Sequence, residues 1–222
     1  MLPQERDIMQ NSTLFSGISS AETAHLCSLL RAGERHYAKG SYLITAGNAI
    51  PAFALLLSGS VQVFMDDVDG NHIVMNTVQP GATFAEAMVC SGMAESPICA
   101  VAVQDSTVLW FQGAALMDPA FFADPICARF GTNFIRTLAE RSLRFNDRIQ
   151  ILSKKSIREK LITFFSQQLY QQKSRQITLD MDRSALADYL GVERSALSRE
   201  LSRMRSAGMI DFRKNCFTIY HT

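Results

Sequence analysis

The hydrophobic pattern changes period twice along the chain. After a polar start, Ser19-Ser20-Ala21-Glu22 has the spacing of a capping box, and Ala24, Leu26, Leu29 and Leu30 follow with helical period before Gly33, which predicts one short helix. From about Arg35 to Phe111 the apolar runs shorten and turn residues separate them: Tyr42 to Thr45, Gly47-Asn48, Phe53 to Leu57, Ser58-Gly59, Val61 to Met65, Asp66 to Asn71, His72 to Val78, Pro80-Gly81, Ala100 to Val103 and Thr107 to Phe111. This spacing predicts an all-β barrel or sandwich. Asp69-Gly70-Asn71 suits a tight hairpin connection because glycine accepts a positive φ.

Beyond Pro119 and Pro125 the period becomes helical. Gly131, Ile135, Leu138, Ser142, Phe145, Ile149 and Leu152 alternate at steps of four and three, flanked by Arg136, Glu140, Arg141, Arg144, Asp147 and Arg148. Such a heptad seam predicts a helix packed against a partner helix, with Ile135, Leu138, Phe145, Ile149 and Leu152 as the dimerising side chains. A long helix packed on its own domain is the alternative. Lys154-Lys155-Ser156 reads as a hinge and Ile157 to Gln171 as the next helix, so the chain divides into residues 1–125, a helix over 126–153 and a last domain over 154–222.

Asp182 to Phe217 carries the most specific local pattern. Asp182 suits the cap of a short helix, Arg183 to Leu190, with Leu186 and Leu190 on one face and the small Ala187 where a second helix approaches. Gly191 supplies the turn, and Leu197, Leu201 and Met204 give the helix over Arg194 to Ser206 one apolar stripe. Its other face shows Arg194, Ser195, Ser198, Arg199 and Ser202, side chains able to reach base edges and phosphates; an arginine pairs bidentately with guanine O6 and N7 in the major groove. Gly208, Met209-Ile210, the basic turn Arg213-Lys214-Asn215 and Phe217 to Tyr220 read as a β-hairpin, or wing. The alternative is a helical pair with a hairpin that binds protein.

Charge sharpens this division. Residues 1–153 hold 9 basic and 14 acidic side chains, net −5, whereas residues 154–222 hold 13 and 7, net +6, within a chain of formal charge +1. A basic C-terminal segment suits a polyanion. With 47% hydrophobic and 19% charged residues in 222, the composition excludes a disordered chain and fits a soluble globular protein. No apolar run approaches the roughly 18 residues of a membrane span, and Met1 to Gln10 lacks the basic start and apolar stretch of a signal peptide, so a cytoplasmic location is expected. Cysteines 27, 90, 99, 127 and 216 are odd in number and include no Cys-x-x-Cys pair, which argues against a disulfide framework or metal site.

This order of parts resembles the CRP/FNR superfamily of transcription regulators, over about Leu14 to Ile219. The turns Lys39-Gly40, Ala46-Gly47, Leu57-Ser58-Gly59-Ser60-Val61, Asp69-Gly70 and Pro80-Gly81 fall where that family turns its strands, and Gly191-Val192-Glu193-Arg194-Ser195-Ala196-Leu197-Ser198-Arg199-Glu200-Leu201 resembles its recognition helix. The resemblance implies an α+β chain: an N-terminal effector-sensing β-roll of the cyclic-nucleotide-binding type, a central dimerisation helix and a C-terminal winged helix-turn-helix. It implies a homodimer that binds double-stranded DNA at an inverted repeat, gated by a small effector, with RNA polymerase as a further partner. Arg194, Ser195, Ser198 and Arg199 are then the base-reading positions, with Arg183, Arg213 and Lys214 as further DNA contacts. Family members often carry Glu where Ser195 stands, a carboxylate able to accept from a cytosine amine, so the resemblance leaves the half-site sequence open.

The resemblance also constrains the effector. Cyclic-nucleotide binders present a Glu for the ribose after Pro-Gly, then an Arg followed by Ser or Thr for the phosphate. Pro80 to Glu86 retains the Glu, but Ala94-Glu95-Ser96-Pro97-Ile98 has no arginine, which argues against cyclic AMP because a buried phosphate needs charge-assisted bonds. Residues 1–26 contain no cysteine, against an FNR-type iron–sulfur cluster. Haem needs axial ligands such as His25, His36, His72, Cys90 or Cys99, none in a recognisable haem motif. Cys90 and Cys99 flank an expected loop and form a candidate redox pair. A small organic or apolar effector near Phe84, Glu86, Met88, Cys99, Leu138, Ser142 and Phe145 is the remaining expectation, although core packing explains most of these residues equally well. The competing function is a ligand-binding module acting through protein partners rather than DNA. No enzyme is expected, since no phosphate loop, His-Glu-x-x-His or Gly-x-Ser-x-Gly motif occurs.

Overall fold

The computed structural model describes residues 1–66 and 72–221. Contacts divide the chain into two compact units that meet between Leu138 and Ala139, inside a long helix.

The first unit begins with α1 (Pro3–Asn11), absent from the sequence expectations, and α2 (Ser20–Leu29), whose Ser19 Oγ accepts from Glu22 N while Glu22 Oε2 accepts from Ser19 N. Strands β1 (Gly33–Tyr37), β2 (Tyr42–Ile44), β3 (Ala52–Ser58), β4 (Val61–Asp66), β5 (His72–Val78), β6 (Thr83–Phe84), β7 (Cys99–Ala102) and β8 (Ser106–Gln112) form two antiparallel sheets, β1-β8-β3-β6 and β2-β7-β4-β5, with α3 (Glu86–Cys90) between β6 and β7. The pairing Asp66↔His72 closes the β4–β5 hairpin, whose Asp69-Gly70-Asn71 connection lies outside the described residues.

The apolar run in β3 has a physical reason. Phe53, Leu55 and Leu57 enter a core that also holds Leu26, Leu30, Phe111, Phe130 and Phe134, while Ala54 and Leu56 enter the interior of the roll with Val63, Phe84, Ala100 and Val108. A strand buried on both faces cannot alternate polar with apolar. At the end of β3, Gly59 has φ +88°, and a Cβ there would collide with Ser106 and the Asp105 carbonyl, so only glycine fits.

The helix α4 (Pro125–Leu152) starts in this unit, with Cys127 and Phe130 fully buried, and continues into the second. There it is followed by α5 (Ile157–Gln172), β9 (Gln176–Thr178), α6 (Arg183–Leu190), α7 (Arg194–Ser206), β10 (Ile210–Arg213) and β11 (Cys216–Ile219), the three strands ordered β10-β11-β9. Ile151 is fully buried in the second core beside Leu161, Phe164, Phe165, Leu190, Leu197 and Phe217. The turn at 153–156 is therefore spanned by packing on both sides: Gln167 Nε2 donates to the Asp147 carbonyl at 3.1 Å, and the Arg148 guanidinium lies 5.6 Å from the Tyr189 ring centroid. No helix among the described residues is long and apolar enough to cross a membrane.

Candidate nucleic-acid interface

The site is built from the cap of α6 onward. Asp182 Oδ1 accepts from Ala185 N at 2.8 Å, giving one unsatisfied amide of the first turn its partner. Gly191 ends α6 in the left-handed region at φ +61°, and a Cβ there would lie 3.1 Å from Leu152 Cδ2. Lys160 Nζ donates to the carbonyls of Leu190 and Gly191 at 2.9 and 3.4 Å, placing a cation at the negative end of α6. These contacts fix the turn from which α7 departs.

Leu197, Leu201 and Met204 bury one stripe of α7, as expected. Arg194, Ser195, Ser198 and Arg199 are all exposed. Neither Arg194 nor Arg199 makes an ion pair or side-chain hydrogen bond among the described residues. Ser198 Oγ donates to the Arg194 carbonyl at 3.0 Å, which leaves its lone pairs to accept. The face thus offers two free guanidinium forks and two hydroxyls over its first two turns.

Glu200, which the sequence reading did not single out, braces this helix. Its Oε1 accepts from Arg158 Nε at 2.6 Å and its Oε2 lies 3.4 Å from Arg203 Nη1. The Arg158 hydrogen bond holds the Glu200 carboxyl below its ordinary value, against a smaller upward push from burial. Its carboxylate therefore ties α7 to α5. A signal existed in the sequence only as a lone acid within a basic helix.

The wing turns through Lys214-Asn215, closed by Arg213↔Cys216, with Arg213 and Lys214 exposed, and β9 adds a third strand through Phe217↔Ile177. Arg183 faces the wing rather than joining the exposed face of α7. Its guanidinium lies 4.9 Å from the Phe212 centroid and 4.6 Å from that of Phe217, and Nη2 donates to the Lys214 carbonyl at 3.1 Å. Burial pushes its pKa down.

The expected effector residues do not gather in one place. Phe84 is buried against Trp110, ring centroids 5.6 Å apart, and Met88 packs on the same cluster. Glu86 is buried at the start of α3, and Cys99 is buried with Sγ accepting from Ala46 N at 3.4 Å. Leu138 packs on the other core of the first unit, while Ser142 and Phe145 are exposed in the second unit. Cys90 and Cys99 are free thiols, and burial, reinforced by the Glu86 charge, pushes the Cys90 thiol up. A hollow of about 250 Å³ opens elsewhere on this unit, lined by Arg35, Ile44, Asn48, Ile50, Trp110 and Gln112 among others. Among the described residues no three metal-ligating side chains cluster.

Two family models match the chain: the cyclic nucleotide-binding domain over residues 34–118 and the Crp-like helix-turn-helix domain over residues 159–221. The chain belongs to the CRP/FNR family. This CRP/FNR protein is a DNA-binding transcription regulator with a ligand-sensing domain, and members of the family are regulators rather than enzymes. Nothing in the structure or the likenesses favours action through protein partners alone.

Solved structures of CRP/FNR type share its fold. The c-di-GMP responsive global regulator CLP of Xanthomonas campestris is 15% identical, with 92% of this chain and 100% of that chain covered at a TM-score of 0.57. FixK2 of Bradyrhizobium japonicum is 21% identical, with 86% and 93% covered at 0.52, and DNR of Pseudomonas aeruginosa is 18% identical, with 99% and 95% covered at 0.51. Among curated proteins none matches. In the segment before β7, Glu95 is exposed, and the buried Ser96 Oγ donates to the Ile98 carbonyl at 2.8 Å and accepts from Ile98 N at 3.2 Å, so its hydroxyl serves its own backbone.

Proposed function

We propose that this regulator reads an inverted repeat in double-stranded DNA as a homodimer, with Arg194, Ser195, Ser198 and Arg199 reaching base edges and Arg213 and Lys214 reaching phosphates. The observation that carries this reading is the exposed face of α7, where Arg194 and Arg199 have no protein partner among the described residues. Arg199 reads a guanine, and two such helices on a two-fold axis take half-sites about one helical turn, roughly 34–36 Å, apart. Dimerisation runs along α4. Ile135, Phe145, Ile149 and Leu152 are 68%, 52%, 63% and 43% exposed at heptad spacing, with the half-buried Leu138 and the exposed Ser142 between them.

The domains of this reading are a sensing roll over 1–125, a dimerisation helix over 126–153 and a reading head over 154–222. The effector is a small organic or apolar molecule rather than a cyclic nucleotide, and Phe84, Glu86, Met88 and Cys99 are the positions on the roll to probe; Leu138, Ser142 and Phe145 are assigned to the helix stripe. The protein acts in the cytoplasm and contacts RNA polymerase at its promoters. Selection of bound sites from a random duplex library tests the core of the reading. Enrichment of an inverted repeat that Arg199→Ala abolishes is expected. A repeat that survives this substitution overturns the assignment of Arg199, and sedimentation showing an unchanged dimer for Ile149→Glu overturns the stripe.

A further inference from the structure

An arginine that contacts DNA, at a base edge or a phosphate, keeps its fork free in solvent, as Arg199 does. Arg183 does not. Its guanidinium lies over both Phe212 and Phe217, one ring from each strand of the wing hairpin, and one N–H is engaged by the Lys214 carbonyl at 3.1 Å. Arg205 approaches Phe212 as well, at 5.3 Å from its centroid, and pairs with Asp211 Oδ1 at 2.8 Å. The hairpin is thus tied to α6 and to the end of α7 by arginine–aromatic contacts, which are stronger where water is partly excluded.

The turn that these contacts hold is an unusual one. Lys214 has φ +54°, a conformation that residues other than glycine rarely adopt, at the tip of a two-residue hairpin. Its carbonyl accepts from Arg183, and the neighbouring Asn215 carbonyl accepts from Leu179 N at 3.0 Å. The two carbonyls at the tip are pinned to the segment that leads into α6 and to α6 itself. The Lys214 side chain is exposed.

We propose that Arg183 is a positioning residue of the DNA-binding head: it fixes the wing turn so that Lys214 meets the phosphate backbone, and makes no DNA contact itself. This rests on the reading of the head as DNA-binding. Three variants, Arg183→Lys, Lys214→Ala and their double, are compared with the parent 222-residue chain by fluorescence anisotropy on a mixed-sequence duplex of about 30 base pairs, over roughly 50–200 mM salt. Such a duplex needs neither the half-site nor the effector, since phosphate contacts are independent of sequence.

Each single variant is expected to weaken binding about fivefold to tenfold and to lower the slope of log affinity against log salt by about 0.9, the signature of one lost phosphate contact. The double variant is expected to match the singles, because Arg183 acts through Lys214. Phe212→Leu, which keeps Arg183 but removes one ring, is expected to show the same loss of slope and keeps the test decisive if Arg183→Lys folds poorly by circular dichroism. Additive losses in the double variant, or an unchanged slope in Arg183→Lys and Phe212→Leu, overturn the proposal alone. A parent protein that ignores duplex DNA at low salt overturns the DNA reading and this inference with it.

Discussion

The outer face of α7 and the interior of the β-roll treat polar groups in opposite ways. On α7, Arg194 and Arg199 stand in solvent with their donors free, while Ser198 and Ser202 each donate to a carbonyl of their own helix. In the roll, Ser96 closes on Ile98, Cys99 accepts from the Ala46 amide, and Phe84 lies against Trp110. A surface that reads a polyanion must keep its groups available until the ligand arrives, and water supports them meanwhile at little cost. An enclosed sensor has no such solvent, so its residues pack or pair among themselves and look like core until an effector displaces that arrangement.

Substitutions that separate stability from binding break or sharpen this contrast. The largest effect is expected in the roll: Phe84→Ala removes a buried ring and should cost about 3–5 kcal/mol of stability, read as a lowered denaturation midpoint. A loss near zero would mean that the ring covers an effector space rather than filling a core. Arg199→Ala is the counterpart on α7, expected to cost about 1–3 kcal/mol of discrimination at one base pair while stability stays within about 0.5 kcal/mol. A marked fall in melting temperature would show that the side chain is engaged in the fold.

The smallest effect lies between these extremes, at the Arg158–Glu200 pair, whose arginine is 45% exposed and therefore well screened. Glu200→Gln should cost about 0.5–1 kcal/mol. Because Arg158 holds the Glu200 carboxyl below its ordinary 4.5, the folded state binds that proton more weakly than the unfolded state does. The contribution is complete above this value and is lost as pH falls through the lowered one, so parent and variant melting temperatures should converge in acid.

How far the sequence reveals each part follows from the same physics. The α7 face was legible because exposed charges and buried leucines separate cleanly at helical period, and β3 because a strand buried on both faces is continuously apolar. The helix Pro3–Asn11 was not, since its buried residues are Met9 and a carboxylate, Glu5, whose oxygens accept from Leu2 N at 2.7 Å and from Ser58 Oγ at 3.1 Å; the second partner is far along the chain. Strand β9 has three residues with only Ile177 buried, too short for any alternation to register. The role of Arg183 was hidden because composition reports a charge but not the two phenylalanines beneath it.

The burial of Ile151 bears on how such regulators are recombined. A graft of this reading head onto another sensor, joined at the turn after α4, would strip Ile151 from the core that holds Leu190 and Leu197 and remove the Leu152 methyl that abuts Gly191. A junction placed between Leu138 and Ala139 keeps these contacts in one piece. The transferable module therefore carries half of the long helix with it, and a chimera inherits the exposed Phe145 and Ile149 of that half along with α7.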